Sequence, residues 1–284
     1  MARDAVRTLI IIGGHEDKEG KKTILREVVR RIGRNGKLVV TTVASHQPEG
    51  YFPAYRKAFG ELGLEDLAEM DIRTRIEASD EERLRALDGA TGVFFTGGDQ
   101  LKITSQIGST PVFARIREIY QAGGVVAGTS AGASAMPDTM LVRGSGDESY
   151  RIGDVDMAPG LGLLPNVIID QHFAERGRMG RLLGAVAQNP RVLGIGIDED
   201  TAIVVEDEAS FFVLGSGAVY VVDGSCVTHS NIADEKRDRP LSLYDVTLHV
   251  LSEGDHFDLR ERRPGEISRR EAAEVQVKEA AGSA

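Results

Sequence analysis

Short apolar runs alternate with amphipathic stretches over the first two hundred residues of the chain. The runs are rich in β-branched residues, and several contain no polar position, which is typical of strands that are covered on both faces of a sheet. This alternation predicts βαβ units around a parallel sheet. We expect strands at residues 8–12, 37–42, 92–95, 124–127, 167–170 and 193–197.

Helix start and stop signals lie between these expected strands. Ser79 followed by Glu82 forms a capping-box pattern, and Thr110 followed by Pro111 places proline at a first helical position. Gly123 then predicts the end of the second of these helices. From residue 201 onward, short strands separated by glycine turns predict antiparallel additions to the edge of the sheet.

These patterns predict an α/β fold with a mostly parallel central sheet flanked by helices and with antiparallel additions in the C-terminal third. We expect residues 1–259 to form a single α/β domain. Residues 260–284 contain 11 charged residues in 25 and have little apolar periodicity. They are therefore expected to form a charged tail, either a frayed helix or a disordered segment.

Composition narrows the class of protein. The chain has 284 residues, of which 41% are hydrophobic and 27% charged, as in ordinary globular proteins. It has neither a long apolar span nor a leader pattern, so we expect a soluble cytoplasmic protein without a membrane partner. The net charge of −10 disfavours nucleic acid as a partner. Cys226 is the only cysteine, which excludes an intramolecular disulfide and a Cys-rich zinc site.

The segment from Gly128 to Gly132 carries the clearest chemical signal. It reads G-T-S-A-G, follows an apolar strand and precedes a run of small residues. A sharp turn from strand to helix holds the central Ser130 in a strained backbone conformation with its hydroxyl projecting, and flanking glycines avoid clashes. The pattern predicts a nucleophile elbow; the alternative is a tightly packed turn or a phosphate cradle.

A serine nucleophile requires a base, usually an imidazole that is oriented by a carboxylate. His15 and His172 follow expected parallel strands, whose carboxyl ends bind ligands in open sheets. His172 is preferred because three arginines follow it within ten residues, although such a run also fits a solvated helix face. The spacing leaves four candidates for the acid: Asp147, Glu148, Asp154 and Asp156.

Two further segments have weaker signals. The paired glycines after Thr96 allow a backbone N–H group to approach a substrate oxygen, or they form a plain turn. Asp198, Glu199 and Asp200 form a carboxylate cluster that lacks the spacing of a calcium loop, and we interpret it as a turn.

Five separated segments together resemble the cyanophycinases, which are relatives of the aspartyl dipeptidase called peptidase E. The segments are Gly13 to Lys18, Thr96 to Gln100, Gly128 to Ala133, Asp170 to Phe173 and Gly194 to Ala202. The resemblance implies an α/β sandwich similar to class I glutamine amidotransferases, with a serine at the elbow where those enzymes have cysteine.

The resemblance also implies roles for individual residues. Ser130 would be the nucleophile, His172 the base and Glu148 the orienting acid. The oxyanion hole would be formed at Gly97, Gly98 and Ala131. The implied substrate-binding residues are Gln100, Asp170, Gln171, Arg176, Arg178 and Arg181.

The substrate that the resemblance implies is cyanophycin, multi-L-arginyl-poly-L-aspartate. The enzyme would cut this polymer to β-Asp-Arg dipeptides without a cofactor or a metal, and it would be a homodimer. Each repeat of the polymer offers a carboxylate and a guanidinium group. One alternative is an aspartyl or isoaspartyl dipeptidase of the peptidase E type, acting on short β-aspartyl peptides. Another is a catalytically dead, amidotransferase-like binding protein.

Overall fold

The computed structural model describes residues 6–144, 151–234 and 239–265. Within these ranges the α-helices are α1 (Thr23–Ile32), α2 (Tyr51–Glu61), α3 (Glu81–Ala86), α4 (Gln100–Ile107), α5 (Pro111–Gln121), α6 (Ala131–Ser134) and α7 (Met179–Gln188). The strands are β1 (Thr8–Ile12), β2 (Lys37–Thr41), β3 (Leu67–Met70), β4 (Ala90–Phe95), β5 (Val125–Thr129), β6 (Thr139–Arg143), β7 (Asp156–Pro159), β8 (Val167–Gln171), β9 (Leu193–Ile197), β10 (Thr201–Glu206), β11 (Ser210–Gly215), β12 (Val219–Asp223), β13 (His229–Ser230), β14 (Leu243–Tyr244), β15 (Thr247–Leu251), β16 (His256–Asp258) and β17 (Arg263–Pro264).

Nine of these strands form the main sheet, in the order β17-β16-β11-β10-β1-β5-β4-β2-β3. The five strands from β1 to β3 in this order are parallel, and the strands on the other side of β1 pair antiparallel. The α/β fold with antiparallel additions from the C-terminal third is therefore confirmed. β3 was not expected from the sequence.

β8 and β9 are parallel to each other but belong to a second sheet, in the order β15-β12-β9-β8. The interpretation that all the parallel strands lie in one sheet was wrong for these two. An apolar run indicates that both faces of a strand are buried, but it does not indicate which neighbour the strand pairs with.

Alternation along β1 explains how the layers pack. Leu9 and Ile11 face the core between the two sheets, which β8, β9 and β12 also line, whereas Ile10 and Ile12 face α1 and α2. α7 covers the outer face of the second sheet. Both faces of β1 are thus buried, as its apolar run from Leu9 to Ile12 requires.

Local signals were read correctly at one helix and wrongly at another. α5 begins at Pro111, and the Thr110 side chain accepts a hydrogen bond from the N–H of Phe113, as expected. α3 begins at Glu81 with Asp80 at its N-cap, because Ser79 already ends a 3₁₀ turn. The predicted capping box at Ser79 was therefore wrong by one residue.

The start of the expected charged tail is an edge strand, because β17 pairs with β16. Residues 266–284 lie outside the described ranges. In the part of the chain that the structure describes, no helix combines the length and the apolarity needed to cross a bilayer.

Candidate active site

Ser130 lies at a sharp turn between β5 and α6. Its φ of 53° and ψ of −114° are unusual for a residue with a side chain, and its N–H donates to the Ile12 carbonyl at 3.0 Å. The flanking glycines are sterically required: a Cβ on Gly132 would lie 2.5 Å from the Phe95 carbonyl oxygen, and one on Gly128 would lie 2.8 Å from the Gly132 backbone. The predicted elbow geometry is confirmed.

His172 stands directly opposite this serine. Its Nε2 lies 2.9 Å from Ser130 Oγ. Its backbone N–H donates to the Gly13 carbonyl at 2.8 Å, and this hydrogen bond joins the end of β8 to the end of β1. Gly14 packs against the imidazole so closely that a Cβ there would lie 2.2 Å from His172 Cε1. Burial lowers the pKa of His172 below its usual 6.5, against the raising effect of its hydrogen bond to Glu199.

Glu199 is the carboxylate that contacts this imidazole. Its Oε1 lies 2.6 Å from His172 Nδ1, and its Oε2 lies 2.7 Å from His15 Nδ1. Burial raises the pKa of Glu199, but the hydrogen bonds from the two histidines outweigh this effect and leave the pKa below its usual value. Glu148, the acid that the resemblance implied, and Asp147 lie outside the described residues.

Residues 198–200 form the turn that the sequence predicts, but the contact of Glu199 with His172 was not expected from it. β9 pairs in parallel with β8, and Ile197 lies opposite Gln171. The turns after both strands therefore emerge side by side, which brings Glu199 to His172. The four carboxylates considered from the sequence all precede His172, so Glu199, which follows it, was not among them. Of the other acid candidates, Asp154 accepts the Arg151 N–H at 3.1 Å, and Asp156 begins β7.

The Gly97–Gly98 turn faces the serine from the end of β4. A Cβ on Gly97 would lie 3.4 Å from Ser130 Cβ, so the glycine leaves open space beside the hydroxyl. Gly98 adopts a φ of 146°, and a Cβ there would collide with the Ala44 carbonyl oxygen at 2.2 Å. Ala131 follows Ser130 as the first residue of α6. The three residues named for an oxyanion hole thus border the same serine.

A cavity of about 230 Å³ opens in front of Ser130 and His172. Its remaining walls are formed by His15, Glu16, Lys18, Tyr51, Tyr55, Gly97, Gly98, Thr129 and Arg176. Arg176 is exposed and forms no hydrogen bond or ion pair through its guanidinium with any described residue. Its charge is therefore unpaired among the described residues, and it lines the same cavity as Ser130.

A buried carboxylate supports the floor of this cavity. Glu16 accepts a hydrogen bond from Thr129 at 2.6 Å and another from the Tyr55 hydroxyl, and Lys18 Nζ lies 2.7 Å from it. Burial raises the pKa of Tyr55 well above its usual value, so the phenol remains a donor to Glu16. Because Thr129 directly precedes Ser130, this network fixes the backbone that enters the elbow.

Two of the expected substrate-binding residues are buried away from the cavity. Asp170 is 0% exposed and Arg181 is 7% exposed. Arg181 donates to both carboxylate oxygens of Asp170, with 2.6 Å from Nε to Oδ2, and Arg178 lies 3.3 Å from the same group. The charges of Asp170 and Arg181 are thus already paired inside the protein, and a role of these two residues in binding substrate stays a prediction.

The other expected binding residues also have partners within the protein. Arg178 donates to the Gln171 carbonyl at 2.5 Å, and Gln100 donates to the Leu141 carbonyl at 2.8 Å, which ties α4 to β6. Gln171 is buried, and its side-chain oxygen has no partner among the described residues. Of the six expected residues, Arg176 is the one that lines the cavity.

Comparison with known proteins finds close similarity over most of the chain. The sequence profile of Peptidase family S51 matches residues 9–213. A cyanophycinase from Geminocystis herdmanii is 39% identical over 259 residues, covering 90% of this chain and 95% of that protein. A cyanophycinase from Trichormus variabilis is 42% identical over 257 residues, covering 89% and 86%.

Similarity to a solved structure supports the same fold. The crystal structure of a peptidase from an acI-B1 Actinobacterium aligns with a TM-score of 0.67 at 20% identity, over 90% of this chain and 98% of that one. At this level of identity the alignment establishes the shared fold and nothing finer.

Replacing Asp170 tests whether the buried ion pair is structural. We expect Asp170→Asn to lower the free energy of unfolding by about 3–5 kcal/mol, because it leaves the buried Arg181 charge without its partner. Glu81→Gln is the matched control: it removes an exposed ion pair with Arg85, which is worth about 0.3–0.5 kcal/mol. Urea denaturation measures both. Equal small losses would mean that Asp170 has no structural role.

Proposed function

The chain belongs to peptidase family S51 and is a serine peptidase, and on that premise we propose that it hydrolyses cyanophycin to β-Asp-Arg dipeptides. The observation that carries the chemistry is the contact of 2.9 Å between Ser130 Oγ and His172 Nε2 at a strained elbow. The two cyanophycinases that match about nine-tenths of the chain support the choice of substrate.

The proposed reaction is acyl transfer in two steps. Ser130 Oγ attacks the scissile carbonyl while His172 Nε2 accepts the hydroxyl proton and then passes it to the leaving amine. A histidine with a lowered pKa is neutral at pH 7, as a general base must be. Water then attacks the acyl-enzyme, with His172 again as the base, and releases the dipeptide.

In this proposal Glu199 replaces Glu148 as the orienting acid. It accepts the Nδ1–H of His172 at 2.6 Å, which keeps the lone pair of Nε2 directed at Ser130 and stabilises the imidazolium that forms. His15 binds the second carboxylate oxygen at 2.7 Å, so Glu199 is held from both sides.

We assign the oxyanion hole to the N–H groups around Gly97 and Gly98 and to that of Ala131. The absence of a side chain at Gly97 allows a carbonyl oxygen to approach Ser130 closely. One such donor lowers the barrier by about 3–4 kcal/mol in other serine peptidases.

The charges of the cavity fit one repeat of the polymer. Arg176, which is unpaired among the described residues, can bind a substrate carboxylate by charge-assisted hydrogen bonds. The exposed face of Tyr51, at the rim, offers a surface on which a guanidinium can stack.

A homodimeric assembly and a cytoplasmic location remain predictions from the sequence.

Product analysis tests the substrate directly. We expect the purified protein to release β-Asp-Arg from insoluble cyanophycin, measured by mass spectrometry, and Ser130→Ala to lose turnover by roughly 10⁶-fold. A fluorophosphonate probe should label the native protein but not this variant. Cleavage of short aspartyl peptides alone would indicate a peptidase E type of activity, and neither labelling nor turnover would indicate a dead binding protein.

Two matched substitutions distinguish the candidate acids. Glu199→Gln should lower kcat by about 10⁴-fold, because an amide cannot hold the required tautomer or stabilise the imidazolium. Glu148→Gln should leave kcat within a few-fold of the native value. The reverse pattern in steady-state assays would return the role to Glu148.

Arg176→Ala tests the carboxylate contact. Loss of a hydrogen bond to a charged group costs about 1.5–3 kcal/mol, so KM should rise at least tenfold while kcat changes little. Arg115→Ala is the control, since Arg115 is exposed on α5 and lies outside this cavity. An unchanged KM would mean that Arg176 does not contact substrate.

A further inference from the structure

Two imidazoles share one carboxylate at the mouth of the cavity. Glu199 Oε1 lies 2.6 Å from His172 Nδ1 and its Oε2 lies 2.7 Å from His15 Nδ1. The two rings meet edge to face, with their centroids 5.1 Å apart. One ligand atom from each of the three residues lies within 4.8 Å of the others.

This cluster contains more than a catalytic triad needs. A triad requires one imidazole and one carboxylate beside the serine, but here His15 adds a second imidazole nitrogen. Two histidines and one glutamate, with a fourth position open to water, form a donor set that binds Zn²⁺ in tetrahedral geometry. We propose that Zn²⁺ binds His15, His172 and Glu199 and thereby inhibits the enzyme; the inhibition rests on the proposed function.

Access and backbone geometry support the site. The His15 side chain is 72% exposed and that of Glu199 is 26% exposed, so an ion can reach them from solvent. His15 is held with a φ of 48° directly after Gly14, and this backbone directs its ring to Glu199. The carboxylate must move back from between the two nitrogens to admit the ion, which its partial exposure permits.

The surrounding charges are mixed. Lys18 and Arg176 line the same cavity and oppose a cation. The charge of Lys18 is offset by Glu16 at 2.7 Å, and the exposed Arg176 is screened by solvent. Direct coordination by two imidazole nitrogens and a carboxylate outweighs this screened repulsion.

The chemistry of the imidazole explains why binding would inhibit. A metal on Nδ1 of neutral His172 takes the lone pair at that atom, and the ring proton moves from Nδ1 to Nε2. No proton is lost from the ring in this exchange. Nε2 then carries a proton that faces Ser130 Oγ, so it can no longer accept the serine proton.

Titration of the metal-free full chain with Zn²⁺ tests the site without reference to turnover. We expect one bound equivalent by calorimetry, and His15→Asn should raise Kd at least tenfold through loss of one ligand. Asparagine tolerates the left-handed backbone of residue 15, so this variant should fold. His229→Asn, which changes an exposed histidine outside the cluster, and Cys226→Ser, which removes an exposed thiol, should leave Kd unchanged.

Inhibition is then measured against the rate of each variant without metal. We expect EDTA-reversible inhibition of the native protein, and a rise in the half-inhibitory Zn²⁺ concentration of His15→Asn that matches the rise in its Kd. Equal Kd values for the native protein and His15→Asn would overturn the site, and binding without inhibition would overturn its effect. If cyanophycin is not cleaved at all, the proposed function fails, while the calorimetric result still decides the metal site.

Discussion

The site depends on the close approach of the two sheets at Gly13 and Gly14. Gly13 donates to Thr201 and accepts from His172, while Gly14 accepts from Asp200 at 2.8 Å. A Cβ on Gly13 would lie 2.0 Å from the Asp198 carbonyl oxygen. Because these residues have no side chains, the end of β1 can contact the turns after β8 and β9. This contact places an imidazole and a carboxylate from the second sheet beside a serine from the first.

Backbone strain is concentrated at the same place. His15, Ser130, His172 and Asp200 all have positive φ angles, a conformation that costs roughly 1–2 kcal/mol for a residue with a Cβ. Backbone hydrogen bonds between segments hold them there, including those from Ser130 to Ile12 and from His172 to Gly13. Strain that the surrounding structure maintains in this way is typical of sites where side chains must be presented in fixed directions.

The three arginines between residues 176 and 181 have different roles because they differ in burial. Asp170, Arg178 and Arg181 form an ion-pair cluster inside the protein, whereas Arg176 opens into the cavity. The desolvation cost of a buried charge is offset only by a partner in good geometry. Arg178 and Arg181 are therefore held in place by Asp170, whereas the guanidinium of Arg176, unpaired among the described residues, can bind a ligand. A second buried carboxylate, Glu16, stabilises the turn at Ser130, because it accepts a hydrogen bond from Thr129, which directly precedes the nucleophile.

The sequence by itself determined the features that local chemistry encodes. Apolar alternation predicted the α/β fold, the glycine spacing predicted the elbow at Ser130, and strand ends indicated His172. Only the tertiary structure decided that β8 and β9 form a second sheet, that Glu199 contacts His172 across 27 residues, and that Asp170 is buried. The physical reason is that turns and periodicity depend on neighbours in the chain, whereas these contacts depend on which strands pair, and apolar strands of similar composition do not specify their partners.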